Sequence, residues 1–264
     1  MAYEEIIYSK EEAVATLTLN RPQRMNAYTP KMLEEIHSAL DDAQGSEETR
    51  VLVLTGAGRG VCSGADISGS PLQEAERSPL HWADDMRQGF SKLLLRLRAL
   101  DKPTIASING AAVAGGLTLA LICDLRVASD RARLGDGSLR FGFVPDEGGT
   151  YFMPRILGIA KALELVLFCD IVDANEALKL GLVNKVVPHD ELREATRELA
   201  ARIAEGPPIA QRLAKRAMYR QLDMDLESSL EELGLAAQIA NETEDAAEGI
   251  KAFFVGRKPQ FRGR

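Results

Sequence analysis

Three short segments of the 264-residue chain combine residue types that could do chemistry. The first spans residues 55–67, Thr-Gly-Ala-Gly-Arg-Gly-Val-Cys-Ser-Gly-Ala-Asp-Ile, directly after the short buried strand expected at 51–54. Glycines there would let backbone N–H groups approach a ligand closely. The segment lacks the Gly-Lys-Ser/Thr ending of a phosphate loop. On its glycines alone it is equally consistent with an ordinary tight turn.

The second segment spans residues 109–117, Asn-Gly-Ala-Ala-Val-Ala-Gly-Gly-Leu, where a strand pattern gives way to an apolar helical pattern. Free N–H groups at a helix start, together with the helix dipole, suit an oxygen atom that develops negative charge. Two such turns could supply two donors to one oxyanion. The competing interpretation is that the small residues only allow close packing of the helix.

The third segment is Phe-Val-Pro-Asp-Glu-Gly-Gly-Thr at residues 143–150, and it places Asp146 beside Glu147 before a helical stretch. A partly buried carboxyl group can have a raised pKa and exchange protons with a carbon acid. Taken without context, a helix-capping role for either acid is the more economical interpretation.

His81-Trp82 and the cysteines are weaker candidates for functional residues. His81-Trp82 lies in a polar stretch that is more typical of a surface loop or lid than of a pocket wall. Cys62 sits within the first segment, and a small buried thiol is its ordinary explanation. The chain has three cysteines without the spacing of a metal site.

Composition narrows the class of protein. Hydrophobic residues make up 45% and charged residues 27% of the chain, which is ordinary for a soluble globular protein. The formal net charge of −7 provides no overall positive field for nucleic acid or an anionic membrane. The first residues contain no long apolar run after a basic segment, so neither a signal peptide nor a membrane span is expected. We therefore expect a cytoplasmic protein without a nucleic-acid or membrane partner.

The elements that would position these segments alternate between strand and helix. Residues 14–19 alternate in polarity as a half-buried strand does, and Thr29-Pro30 is typical of the start of a helix. Further elements follow in the order helix 84–100, strand 104–108, helix 115–122 and strand 125–128. This alternation predicts an α/β core, which we assign to residues 1–200.

Residues 201–264 form a second, all-helical region. After Gly206-Pro207-Pro208 three helical patterns follow with almost no strand signal. Their apolar positions include Leu230, Leu233, Leu235 and Ile239. Such a face docks either on its own core or on a neighbouring subunit.

The whole pattern resembles the enoyl-CoA hydratase/isomerase (crotonase) family over nearly the full length. The resemblance rests on Leu-Asn-Arg-Pro at 19–22, Asn26-Ala27, the three segments above, and Glu244-Asp245 with Arg-Lys-Pro at 257–259. It implies a spiral of ββα units with a C-terminal helical oligomerisation region, assembled as a homotrimer or as a hexamer of two trimers. It also implies an acyl-CoA thioester substrate of fatty acid metabolism, in which coenzyme A is part of the substrate and no metal or other cofactor is needed.

The resemblance also implies roles for particular residues. The N–H groups of Ala65 and Gly115 would form the oxyanion hole that holds the thioester oxygen as an enolate forms. Arg21, Arg24 and Arg59 would offset phosphate charge locally. The implied coenzyme A contacts are Gly64, Asp66 and Ile67 around the adenine, and Arg24 and Ala27 in the channel.

The reaction depends on which acids are present. A family hydratase places glutamates where this chain has Thr118 and Ser138, and neither residue can act as a carboxylate acid or base. Asp146, in contrast, matches the single acid of the family's isomerases, so a shift of a carbon–carbon double bond is the favoured reaction. Glu147 would take that role if the loop were shifted by one residue.

Other functions are also compatible with the sequence. One is hydration with unusual residues or hydrolysis. Another is dehalogenation with Asp146 as nucleophile, assisted by His81-Trp82. A non-catalytic coenzyme A-binding protein is the alternative from a different class.

Overall fold

The computed structural model describes residues 3–69 and 81–264. Ten strands occur in this part of the chain: β1 (Ile6–Glu11), β2 (Val14–Leu19), β3 (Val51–Gly56), β4 (Gly60–Cys62), β5 (Thr104–Ile108), β6 (Ala111–Val113), β7 (Leu125–Ser129), β8 (Arg133–Gly135), β9 (Ile171–Asp173) and β10 (Lys185–Val187). The predicted strands at 14–19, 51–54, 104–108 and 125–128 are confirmed as β2, β3, β5 and β7.

Eleven α-helices occur in the same described ranges: α1 (Pro30–Gly45), α2 (His81–Gln88), α3 (Phe90–Ala99), α4 (Gly115–Leu121), α5 (Gly149–Leu157), α6 (Ile159–Phe168), α7 (Ala174–Lys179), α8 (Leu192–Ala204), α9 (Pro208–Gln221), α10 (Leu226–Asn241) and α11 (Glu244–Phe254). The cap predicted at Thr29 is confirmed, because its hydroxyl accepts the N–H of Met32 at 3.0 Å. Asp225 and Thr243 cap α10 and α11 in the same way.

The strands form two sheets. The larger sheet has the order β1-β2-β3-β5-β7-β10, and the smaller has the order β4-β6-β8-β9. All pairings are parallel except β1 with β2 and β8 with β9. The chain runs from β3 to β4, from β5 to β6 and from β7 to β8, passing each time from the large sheet to the small one before a helix. This repeated ββα path confirms the predicted α/β spiral.

The central strands β3 and β5 of the large sheet are buried on both faces. Successive residues of a strand point to opposite sides. Val51 and Val53 of β3 pack in one apolar cluster with Ile105, Val127 and α8. Leu52 and Leu54 point the other way, into the main core with α1, α3 and α4. The candidate site lies beside the small sheet, just beyond the ends of β4, β6 and β8.

One predicted helix is divided in two. The periodicity predicts a single helix at 84–100, but α2 and α3 are separated at Gly89. A Cβ atom at Gly89 would lie 2.9 Å from the backbone oxygen of Asp85 and 3.3 Å from Leu33 of α1. Apolar periodicity continues across this break, so the pattern could not locate it.

The C-terminal helices keep apolar side chains exposed. Leu230, Leu233, Leu235 and Ile239 of α10 are between 40% and 66% exposed. They do not dock on the chain's own core. Across the described residues, no helix has the length and apolar character needed to cross a membrane. The boundary between residues 200 and 201 stays a prediction.

Candidate active site

The first predicted turn follows β3 and β4 and is held against the loop before α1. The N–H of Tyr28 donates to the oxygen of Gly64 at 2.9 Å, and the N–H of Asp66 donates to the oxygen of Tyr28 at 2.9 Å. Gly64 has a φ of +95°, a conformation that strains any residue with a Cβ. These contacts leave the N–H of Ala65, between the two bridging residues, directed at the Glu147 carboxylate at 3.2 Å.

The second predicted turn joins β6 to α4 through a strained residue. Ala114 has φ +51° and ψ −122°, and its N–H donates to Gly135 at 3.1 Å. Gly115 follows as the first residue of α4, with an N–H that has no partner inside the helix. At Gly116 a Cβ would lie 2.1 Å from the backbone oxygen of Cys62. The small residues thus serve close packing at Gly116 and leave a helix-start donor at Gly115.

An open cavity of about 420 Å³ lies beside these turns. It is bounded mainly by apolar side chains, and no lysine or arginine is among its described lining residues. Asp146 and Glu147 are the only carboxyl groups in that lining. Its walls are formed by Ser63, Gly64, Ala65, Ile67, Trp82, Val113, Ala114, Gly137, Ser138, Phe141, Gly142, Phe143, Val144, Asp146 and Glu147. The three segments singled out in the sequence therefore meet at one place.

Asp146 presents its carboxylate on the cavity wall. It is exposed, and its Oδ2 accepts a hydrogen bond from Nε1 of Trp82 at 2.5 Å. Gly148 is the N-cap residue of α5, and no side-chain hydrogen bond from the described residues caps this helix. The capping interpretation of Asp146 and Glu147 is therefore wrong. The surface-loop interpretation of Trp82 is also wrong, since Trp82 belongs to α2 and lines the cavity. The polar residues around Trp82 in the sequence gave no indication that it lines a cavity.

Residues 70–80 and the side chain of His81 lie outside the described residues.

Glu147 points away from Asp146 and is only 7% exposed. Its Oε1 accepts the Ala65 N–H, and the N–H of Gly115 also interacts with the carboxylate in a looser geometry. Burial raises the pKa of Glu147 to about 7, while contacts with Tyr28 and Gly115 oppose that rise. The predicted donor residues Ala65 and Gly115 thus lie together, and a carboxylate sits between them. Nothing in the local sequence distinguishes Glu147 from Asp146 in this respect.

The two positions that carry glutamate in family hydratases differ in their surroundings. Thr118 of α4 is fully buried, and its hydroxyl has no hydrogen-bond partner. Ser138 lines the cavity, and its N–H donates to the buried carboxylate of Asp136 at 2.9 Å. Neither side chain offers a carboxyl group to the cavity.

The segments expected to contact coenzyme A run side by side, but their charges are partly used within the chain. Arg21 donates to Oδ2 of Asp66 at 2.8 Å and to the oxygen of Ala27 at 2.6 Å. Hydrogen bonds from Ser68, followed by the bond from Arg21, lower the pKa of Asp66 to about 2. Arg21 is therefore engaged with Asp66, and its expected role in offsetting phosphate charge stays a prediction.

The remaining expected contacts are distributed along the same edge. Arg24 is exposed in a short 3-10 turn. Ala27 is buried, and Ile67 is 51% exposed on the cavity wall.

The thiol of Cys62 is fully buried, and burial raises its pKa to about 12, so it stays protonated at neutral pH. This agrees with the ordinary structural role expected for Cys62.

A buried pair of backbone donors beside an open apolar cavity with carboxyl groups is typical of an enzyme that polarises a carbonyl oxygen. The family model for enoyl-CoA hydratase/isomerase matches residues 9–264. The chain belongs to the enoyl-CoA hydratase/isomerase family and has its crotonase fold.

Individual relatives cover the chain from end to end. A probable enoyl-CoA hydratase of Mycobacterium tuberculosis is 35% identical over 264 residues, covering 100% of both chains. The 1,2-epoxyphenylacetyl-CoA isomerase of Escherichia coli is 33% identical and covers 99% of both. The crystal structure of an enoyl-CoA hydratase from Bacillus anthracis superposes with a TM-score of 0.91 at 33% identity, covering 99% of this chain and 100% of that one. Both reaction names thus occur among similar proteins.

Proposed function

We propose that the protein is an enoyl-CoA isomerase in which Asp146 moves a proton between two carbon atoms of the acyl chain. The observation that carries the proposal is the exposed Asp146 carboxylate on the wall of the cavity next to Ala65. The residues at the two hydratase positions, Thr118 and Ser138, have hydroxyl groups in place of carboxyl groups. One carboxylate is enough for a proton shuttle, whereas water addition needs an acid and a base.

The proposed reaction starts from a 3-enoyl thioester. The Asp146 carboxylate removes a proton from the α-carbon, and the electron pair of that C–H bond moves toward the thioester oxygen. The N–H groups of Ala65 and Gly115 stabilise the resulting enolate oxygen. Protonated Asp146 then returns the proton to the γ-carbon, the double bond moves to the α–β position and the carbonyl reforms. Substrate and product have the same mass.

Trp82 supports this role as a positioning residue. Its indole N–H donates to one carboxylate oxygen of Asp146, and this leaves the other oxygen to exchange the proton. A hydrogen bond to an ionised group is stronger than one between neutral groups. The bond therefore fixes the orientation of the carboxylate toward the cavity.

The reaction type is tested by incubating the protein separately with matched 2-enoyl-CoA and 3-enoyl-CoA thioesters of aliphatic and aromatic-derived acyl groups. Chromatography with mass spectrometry then identifies each product. Interconversion of the paired isomers without a change in mass supports the proposal. A product heavier by one water from the 2-enoyl thioesters, with no isomer formed, would overturn it in favour of hydration.

Hydration is the second candidate, because most of the similar proteins carry hydratase names. It would require Asp146 and Glu147 to act on a water in place of the missing glutamates. Both carboxyl groups line the same cavity. They point to different partners, however, Asp146 to Trp82 and Glu147 to the backbone donors, which disfavours joint action on one water.

We also propose that coenzyme A lies along Gly64, Asp66 and Ile67 with Arg24 and Ala27 nearby, and that no metal or further cofactor takes part. Arg24→Glu tests the placement, because it should weaken binding of coenzyme A by reversing a charge. Lys161→Glu, which makes the same change on α6 away from the cavity, should leave it unaltered. Equal affinities of the two variants would contradict the placement.

The exposed apolar residues of α10 support assembly into a trimer or a pair of trimers. Light scattering after size-exclusion chromatography should give three or six times the 28.7 kDa mass of one chain. A monomeric mass would contradict this assembly.

A further inference from the structure

The carboxylate of Glu147 covers both proposed oxyanion donors. Its Oε1 accepts the N–H of Ala65 at 3.2 Å. A Cβ placed on Gly115 would lie 2.6 Å from the same oxygen and 2.8 Å from the carboxyl carbon. The carboxylate therefore lies directly against the start of α4, where the N–H of Gly115 also interacts with it. An oxyanion hole can hold one acceptor at a time, and here that acceptor belongs to the protein.

The turn before α5 directs Glu147 to this place. Gly148, with φ +90°, turns the chain sharply after Glu147. The side chain is buried behind Gly64, where a Cβ would lie 3.4 Å from Oε2 of Glu147. The Tyr28 ring, stacked on Phe90 with ring centres 4.5 Å apart, closes the far side. Small backbone surfaces and an aromatic wall thus form a pocket shaped for one carboxyl group.

The carboxylate is held weakly for a buried anion. The charged groups that bear on it are Asp146 and Asp136, both acidic, and no cation is among the described contacts that influence it. The neutral hydroxyl of Tyr28 faces the carboxylate and lowers its pKa, but the hydroxyl has no partner within normal hydrogen-bond distance. Burial without a cation penalises the charge. Glu147 is therefore an occupant that a better-matched acceptor can displace toward the open cavity.

We propose that Glu147 is a built-in competitor for the oxyanion donors, which the oxygen of an acyl thioester has to displace when it binds. The competitor lowers the affinity for ligands that have a carbonyl oxygen at this position and has no effect on ligands that lack it. This inference rests on the role proposed above for Ala65 and Gly115, and it does not depend on whether the reaction is isomerisation.

Two ligands that differ at a single position separate the competition from general binding. Butyryl-CoA has the thioester carbonyl, and butyl-CoA has a methylene group in its place. Calorimetric titration of the wild type, Glu147→Ala and Glu147→Gln gives the dissociation constant of each ligand. Glu147→Ala should bind butyryl-CoA about tenfold more tightly than the wild type and butyl-CoA equally well. Glu147→Gln, whose neutral amide is a weaker acceptor, should give a smaller gain.

A second measurement, the carbonyl stretching frequency of the bound ligand, separates failure of the competition by Glu147 from failure of the donor assignment to Ala65 and Gly115. The stretching frequency of a 13C-labelled carbonyl in bound butyryl-CoA falls when donors polarise it. A lowered frequency together with unchanged or weaker butyryl-CoA affinity in both variants would overturn the competition alone. If the frequency in the wild type and both variants equals that of free butyryl-CoA, the donor assignment is overturned, and the competition is overturned with it. Glu147→Gln keeps the shape of the side chain and decides the matter if Glu147→Ala does not fold.

Discussion

The indole Nε1 of Trp82 lies 2.5 Å from Oδ2 of Asp146, although 64 positions separate the two residues in the chain. The bond joins α2 to the turn before α5, and both residues line the cavity. Trp82→Phe keeps an aromatic ring and removes only the donor. Loss of a hydrogen bond to a charged group should lower the isomerisation rate constant kcat about tenfold to hundredfold. Steady-state kinetics measures this directly.

Tyr151→Phe is the matched control for that variant. Tyr151 is 40% exposed and Trp82 is 39% exposed, but Tyr151 does not line the cavity. Removing its hydroxyl should leave kcat within about twofold, the range expected for an exposed substitution. Equal rates for Trp82→Phe and the wild type would show that the Trp82 bond does not position Asp146.

Thr118 provides a test of stability and function together. Its buried hydroxyl has no partner, so Thr118→Val should raise the free energy of unfolding by up to about 1 kcal/mol. Activity should change little, because the proposed chemistry assigns no proton transfer to Thr118. Denaturant unfolding and the assay of kcat check the two parts separately.

Thr104 supplies the contrast for Thr118. It is also buried, but its hydroxyl donates to Oδ2 of Asp124 at 2.9 Å and accepts the N–H of Asp124 at 2.9 Å. Thr104→Val should therefore lower the free energy of unfolding by about 1–3 kcal/mol. Stabilisation by both substitutions, or by neither, would contradict the hydrogen-bonding difference.

The two glycines Gly116 and Gly234 lie inside helices with opposite surroundings. A Cβ at Gly116 would lie 2.1 Å from the oxygen of Cys62, whereas at Gly234 it would meet nothing within 4 Å. Gly116→Ala should lower the free energy of unfolding by about 1–3 kcal/mol through overpacking. Gly234→Ala should raise it by about 0.5–1 kcal/mol through helix propensity. Chemical denaturation that gives the same sign for both would contradict the packing described for α4.

The raised pKa of Glu147 predicts a dependence of stability on pH. Its pKa is about 7 in the folded chain and 4.5 as the ordinary value, so between these values the folded state binds more protons than the unfolded state. The free energy of unfolding then falls as pH rises through this window. Relative to Glu147→Gln, the wild type should lose about 2 kcal/mol between pH 5.5 and pH 8. A constant difference between the two proteins would show that Glu147 is not buried as an isolated acid.

Much of the secondary structure and the position of the candidate site could be predicted from the sequence. Periodicity located β2, β3, β5 and β7, and Thr29 located the start of α1, because these signals are local. The glycine turns around Ala65 and Gly115 stood out for the same reason. The break at Gly89 lies where a Cβ would meet Leu33 of α1, and the bond from Trp82 to Asp146 joins distant segments. Contacts between distant segments cannot be predicted from the residue types on either side of them in the sequence.

The two adjacent acids show the same limit most clearly. Asp146 and Glu147 are neighbours in the chain, yet one is exposed and bonded to Trp82 while the other is buried against Ala65. Their opposite directions come from the turn at Gly148 and from the surfaces of Gly64 and Tyr28. A sequence pattern can place both acids in the site but cannot divide the roles between them.

Asp146 transfers the proton in the proposed reaction, and deuterium incorporation measures that transfer. The wild type, Asp146→Asn and Glu147→Gln are each incubated with a 3-enoyl-CoA in heavy water, and mass spectrometry follows deuterium in the recovered thioester. We predict rapid incorporation with isomerisation in the wild type, and a loss of about 100-fold to 10,000-fold in both rates for Asp146→Asn. Glu147→Gln should lose far less. Undiminished incorporation in Asp146→Asn, or a greater loss in Glu147→Gln, would contradict the assignment of the proton transfer to Asp146.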